Sequence, residues 1–497
     1  MKIRIKHVFV ALAAMAMVFA GCSKEDSGAV PGPGEIDDSI AGYISVAIST
    51  PKASTRTQGP AYPGNFVPND DAVRSITLVL TNSTGVVQTV VPSAAENTSI
   101  KVAVGTYDVY AIVNPSGQIA NIAVGDNINT VIAAVTEAEI AGYSNATAPN
   151  GFLMFNANDL VDKTVNTAWK GVSITRLNTP SSPAMVAIKV DRLVSAMQIA
   201  NSAPPTVSVS NQAEGETVPL ISRVALNGLF AMNIQSAYNP IQTWLASENI
   251  LTHPATAGKI VLSTPATKNM PLPSEYLNAI NTISQFDGDP ALNHKYPTLA
   301  LINVATAFSA SKYVLENRPV VFNNGGILTS YDDQTTAAIF KVTAYDKNDD
   351  NTTFYLVRRT GKIYYSKADA VAAVNATNAL VGGVAVVTVA SSNADLRKVG
   401  LQVFEDGVMY YTYYIKDENY TLSYSAPAVV TNSKYYGIHR NSIYGLTVTD
   451  ISTIGDDVPG GGVVDPENPD LIDGDDAYIS VSVSVNPWVS SATNIVL

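Results

Sequence analysis

Residues 43–51 read YISVAISTP and residues 478–488 read YISVSVSVNPW, so the chain writes nearly the same strand once near its start and once at its end. Aligned from Tyr43 and Tyr478, five of the first seven positions are identical, and Ile48 stands against Val483. Aliphatic residues recur at every second position. They are Ile44, Val46 and Ile48 in the first copy and Ile479, Val481, Val483 and Val485 in the second, with Trp488 just beyond. A period of two marks a strand with one buried face. Two segments shaped alike are expected to fit one groove, which makes the chain a building block rather than an enzyme. The residues alone leave a second arrangement open, in which the two copies pair in separate sheets of one monomer.

Val, Ala, Thr, Ser, Asn and Tyr dominate the 497 residues, and only 14% are charged. β-branched and aromatic residues suit a pleated, half-buried surface, so the composition leans to β. A net charge of −12 argues against nucleic acid, whose phosphates need clustered Lys and Arg. The length suggests two to four domains.

The first residues read as an export signal. Lys2, Arg4 and Lys6 form a basic stretch, Val8–Ala20 an apolar one, and FAGC ends it at Cys22, the one cysteine of the chain. About 13 apolar residues are too few to span a bilayer but suit a signal peptide. A lone Cys after Ala-Gly resembles a lipobox, in which the thiol is acylated, although Phe19 stands where Leu is usual. The following CSKEDSG supplies Lys24, Glu25 and Asp26, similar to the acidic surface-export signal of Bacteroidetes lipoproteins. Any membrane attachment is therefore expected through lipid on Cys22.

Along the body, short alternating runs are separated by Gly, Asn, Asp and Pro. They include VRSITLVL (73–80), SIKVAVGTYDVYAIVN (99–114) and PAMVAIKVDRLVSAMQIA (183–200). Helices are expected at SEYLNAINTIS (274–284) and at SKADAVAAVNATN (366–378), where Ser366 and Asp369 are spaced like a capping box. Many short strands with few helices predict a mainly β chain of two tandem β-sandwiches, dividing near residue 203. The expected layout is a signal peptide (1–21), a lipidated propeptide with the first strand (22–56), two domains (57–203 and 204–455), a tether (456–476) and a terminal strand (477–497). The tether carries eight acidic and no basic residues, cannot bury a core, and could reach roughly 70 Å if extended.

Catalytic constellations are missing. His7 lies in the signal, and His253, His294 and His439 share no metal-ligand spacing. DKNDD (346–350) places oxygens like a calcium loop, but Asn351 stands where Gly is needed and Val357 where Glu is needed, so it reads as a hairpin turn. No metal site and no cofactor are expected beyond the lipid.

KYVLEN (312–317), IKVDRLVSAM (188–197), HRNSIYGLTVTDI (439–451), PENP (466–469) and the terminal SVSVNPWVSSATNIVL together resemble the fimbrillins of Bacteroidales type V pili, most closely the shaft subunit of the short fimbrium. The resemblance implies two transthyretin-like β-sandwiches and a lipidated precursor. It also implies cleavage by an arginine-specific protease in the loop after the first strand, and donor-strand exchange with a neighbouring copy. Arg56, followed by Thr57 in STRTQ, matches the cleavage position, within a Pro/Gly-rich loop suited to nicking. Arg74 opens a strand and should be protected. The implied partners are copies of itself, the processing protease, anchor and tip subunits, and host or bacterial surface ligands. The precursor would sit at the outer membrane, and the mature protein would be extracellular in a fimbrium supporting adhesion.

Physics alone also favours exchange. A sandwich lacking one strand exposes unpaired backbone and an apolar groove that a donated strand satisfies. A cut at Arg56 would separate Cys22 and the first strand from the body together. The alternative function is a surface lipoprotein acting as an accessory or tip adhesin, which needs no strand to pass on.

Overall fold

The computed structural model describes residues 36–49, 73–92, 99–115, 119–131, 135–136, 152–157, 167–199, 203–232, 237–245, 260–264, 302–303, 312–315, 321–324, 327–330, 335–380, 382, 384–424, 430–438, 440–458, 479–487 and 494–496. Among the described residues strands predominate and helices are few and short, and the chain is mainly β, built of several sheets. Seven strands hold the two terminal motifs and the crossing between the main sheets. They are β1 (Ala41–Ser49), β2 (Ile100–Ala103), β3 (Ala184–Arg192), β4 (Val194–Ile199), β5 (Ser442–Ile451), β6 (Ile479–Pro487) and β7 (Asn494–Val496).

A nine-stranded sheet orders β7, β1, β3, Met154–Asn156, Gly105–Val113, Ile76–Thr81 and Val87–Val91. To it β2 adds beside β1, and Val172–Ile174 beside Gly105–Val113. Its apolar residues close the first core, in which Ile44, Val46, Leu78, Val109, Phe155 and Val190 are at most 1% exposed. A five-stranded sheet orders Thr206–Val207, β5, β4 and Lys312–Leu315, with β6 on the other side of β5. It contributes to a second core with Phe340, Phe404 and Tyr444. A third, smaller cluster gathers Val357, Leu396 and Leu401 with Ala370, Val371 and Val374 of the helix α1 (Lys367–Ala379).

Helix α1 begins where the sequence places it, because the side chain of Ser366 accepts from the Asp369 N–H. The other expected helix (274–284) lies outside the described residues.

Two of the alternating runs are each divided between two strands. SIKVAVGTYDVYAIVN divides at Val104, whose N–H donates to Ile40 O, so that Ile100–Ala103 pairs β1 and Gly105–Val113 pairs elsewhere. PAMVAIKVDRLVSAMQIA divides at Leu193, where the chain leaves the first sheet for the second. Val194 and Ala196 pack in the first core, Met197 and Ile199 in the second. An unbroken aliphatic run shows burial but not which sheet buries it.

The DKNDD turn forms, with Asp346 Oδ1 accepting from the Asn348 and Asp350 N–H groups. It does not close a hairpin. Ala337–Tyr345 pairs with Arg223–Met232 and Val408–Tyr414, whereas Phe354–Val357 joins the small sheet with Lys362–Tyr364 and Leu401–Phe404.

Candidate strand-exchange site

Strand β1 is held from both edges. Along one it runs parallel to β3, Ile44 opposite Ala184 through Ser49 opposite Lys189. The other edge is shared: β2 pairs antiparallel with residues 41–44, and β7 with residues 47–49. Ile44, Val46 and Ile48 are 0%, 0% and 1% exposed. At about 1.5–3 kcal/mol per buried aliphatic side chain, those three anchors are worth roughly 5–9 kcal/mol to the first core. The opposite face is not open to solvent as simple alternation would have it. Ser45 is buried and Tyr43 and Ala47 are half-buried, and the segment after Val172–Ile174 crosses the start of β1. There the Tyr43 N–H donates to Asn178 O at 3.0 Å. A Cβ on Gly42 would stand 2.6 Å from Ile174 Cγ2 and 2.7 Å from Thr175 O, so only glycine fits that crossing.

The chain reaches β1 through an exposed turn, Asp38–Ile40. The Asp37 carboxylate accepts from the Ser39 N–H at 2.8 Å, and that backbone hydrogen bond holds its pKa below the ordinary value. An Asp38–Lys101 ion pair at 2.5 Å ties the turn to β2, although exposed pairs of this kind contribute little. Cys22, Lys52, Arg56 and Thr57 lie outside the described residues. Arg74 is exposed and precedes its strand, which opens at Ile76, instead of beginning it; its N–H donates to Asn114 Oδ1 at 2.7 Å.

The second copy of the motif sits elsewhere. Strand β6 runs antiparallel along β5, with Ile479, Val481, Val483 and Val485 opposite Ile451, Val448, Leu446 and Tyr444. Those four partners are buried in the second core, and Val481 packs against it, half-buried. Trp488 lies outside the described residues. Within one chain, then, the two look-alike strands occupy different sheets at the same time.

The root of the tail is fixed, which the composition of 456–476 did not reveal. Asp456 exchanges backbone hydrogen bonds with Tyr410 (2.8 and 2.9 Å), and Tyr411 Oη donates to Thr453 O at 2.8 Å. The Asp457 carboxylate is nearly sealed from solvent; it accepts from the Val403 N–H at 3.0 Å and Gln402 Nε2 at 3.1 Å, and it pairs with Arg397. Burial pushes the Asp456 carboxyl above its ordinary value, opposed by Arg397 and Arg358. Asp456, Asp457 and the buried Val458 therefore belong to the body, not the tether. The two arginines that face these carboxylates, Arg358 and Arg397, come from far along the chain, and no local window contains them.

A buried polar cluster joins the sheets where the chain crosses at Leu193. Arg192 is fully buried and donates through Nη1 to Asn441 Oδ1 at 3.1 Å, while Asn441 Nδ2 donates to Asp191 Oδ1 at 3.1 Å. The Asn441 N–H donates to Val194 O at 2.8 Å, and Arg440 beside it is 1% exposed. IKVDRLVSAM and HRNSIYGLTVTDI thus meet as neighbouring parallel strands, β4 and β5, with Asp191, Arg192 and Arg440 at the junction. The sequence signal was a charged pair inside an aliphatic run. Among the described residues, no three His, Cys, Asp or Glu side chains gather to hold a metal ion, and no helix is long and apolar enough to cross a membrane.

Residues 402–494 match the family model described as major fimbrial subunit protein type IV, fimbrillin, C-terminal. A comparison with curated proteins returns no match. Among solved structures, a fimbrilin (FimA) of Porphyromonas gingivalis is similar at 16% identity, covering 90% of this chain and 97% of that one, with a TM-score of 0.42. The tip fimbrial protein Mfa3 of the same organism is similar at 13% identity, covering 90% of this chain and 100% of that one, with a TM-score of 0.34.

Proposed function

We propose that this chain, whose residues 402–494 match the fimbrillin C-terminal model, is a fimbrillin: a non-enzymatic structural subunit of a cell-surface fimbrium that polymerises by donor-strand exchange. The observation that carries the reading is the seat of β1. It is an inner strand of the first sheet, supplies three fully buried anchors, and is covalently joined to the body only through residues 50–72, which contain Arg56. A cut between Arg56 and Thr57 leaves β1, and with it the lipid on Cys22, joined to the body by non-covalent contacts alone.

The vacated seat would present two unpaired edges, on β3 and β2, above an apolar floor. By the alignment of the two motifs, Ile479, Val481 and Val483 of another copy take the places of Ile44, Val46 and Ile48. Val485 then supplies a fourth anchor, with Trp488 beyond it. Before the cut, β1 has the high effective concentration of a tethered strand and excludes the incoming one. The two cores meeting at β4 are read as the family's two sandwich domains. Copies of the chain, an arginine-specific protease, anchor and tip subunits, and surface ligands complete the assembly. The precursor is placed at the outer membrane and the mature subunit outside the cell.

The test uses precursor beginning at Ser23, treated with an arginine-specific protease. Full-length protein is expected to give SDS-resistant ladders. Protein truncated before Ala477 should be cut yet stay monomeric, and Arg56→Ala should remain uncut at this site and monomeric. Ladders from the truncated protein, or a cleaved full-length protein that stays monomeric, would overturn the reading.

A further inference from the structure

The tail is tied to the body at both ends, and the two ties lie in different sheets. Its root is fixed at Asp456–Val458. Strand β6 then lies along β5, beside the second core. The last strand, β7, leaves that sheet and pairs with β1: Asn494 opposite Ser49, Ile495 opposite Ile48, Val496 opposite Ala47. Among the described residues β7 has no strand partner other than β1, and β6 none other than β5.

We infer that β7 is a latch: docked on β1, it keeps β6 on its own chain's β5, and loss of β1 releases it. The inference rests on the proposed function for its purpose, but its physics is separate. A strand held at one end frays from the other, whereas one held at both ends must first break a tie. The tip's ladder is short, three paired positions against the nine of β6 on β5, and its template is the very strand that cleavage at Arg56 would remove. One cut would therefore open the acceptor seat and free the donor strand of the same molecule. An uncut subunit, by contrast, would neither accept nor donate readily. Linkage makes the effect reciprocal: if β1 steadies the tail, the tail's tip steadies β1 by the same factor.

The test needs no polymer. Hydrogen exchange of the 479–487 amides is compared between uncleaved precursor beginning at Ser23 and the same protein lacking residues 494–497, with Ile495→Pro as a full-length variant that breaks the tip's ladder. Both variants are expected to speed exchange in 479–487 by about ten-fold, within the ordinary range of coupling between sites, while Ile76–Thr81 keeps its protection. Cleaved molecules whose mass shows loss of the β1 fragment should match them. Unchanged exchange at 479–487 in both variants overturns the latch. Coupled exchange in a protein that never forms ladders keeps the latch and sinks the polymerisation reading, and ladders without coupling do the reverse.

Discussion

Asn441 sits at φ 57°, a left-handed conformation that asparagine tolerates better than most residues, and its side chain serves both Asp191 and the buried Arg192. Replacing it by alanine leaves a buried carboxylate and a buried guanidinium each one partner short and strains the backbone as well. Asn441→Ala is therefore expected to lower stability by about 2–4 kcal/mol in urea unfolding. Asn441→Gly relieves the backbone but not the lost bonds, so it should recover only a fraction of that loss. A full recovery would show that conformation, not the polar cluster, is what matters there. The sequence displays Asp191, Arg192, Arg440 and Asn441 plainly, but nothing local says that residues 250 apart satisfy one another.

At the scale of elements, β1 shows how much a strand pattern conveys. The alternation of Ile44, Val46 and Ile48 marks the buried face correctly. Gly42 looks like an ordinary strand opening, and its necessity comes from Ile174 and Thr175 passing overhead. Gly42→Ala must push backbone apart, and a thermal or urea melt should show a loss of about 1–3 kcal/mol, typical of overpacking; no loss would mean that the crossing segment yields freely. Helix α1 is legible to its first residue because a cap is a local device, three residues wide. The tail is the opposite case. Its alternating valines declare a strand, yet they do not say that its edge partner is β5.

For the whole molecule, burial of tyrosine in separate parts of the fold predicts how it meets alkali. Tyr110 packs in the first core against Phe155 and Trp169, and burial, aided by the charge of Asp108, pushes its phenol up to about 12. Tyr436, buried beside Lys416, is likewise pushed up to about 12 by burial. A raised phenol pKa means that the folded chain favours the neutral form. Its contribution is complete below pH 10 and is lost as pH rises towards 12, by about 1.4 kcal/mol per pH unit for each group that must ionise. Stability should thus fall steeply between pH 10 and 12, with a shallower fall in Tyr110→Phe. A slope unchanged in that variant would show that Tyr110 ionises in place.

By itself the sequence determined what is periodic or local: a mainly β chain, the buried faces of its strands, the cap of α1, the turn at 346–350, and two terminal segments of one shape. Tertiary structure decided what depends on partners far along the chain. Those decisions are the crossing between sheets at Leu193, the docking of Asp456 and Asp457 by Arg397, and the resting place of each look-alike strand. The reason is that a strand's side chains specify a kind of surface, while its neighbours are chosen by backbone edges left unpaired elsewhere. Identical patterns can therefore settle in different sheets, and β1 and β6 do so here.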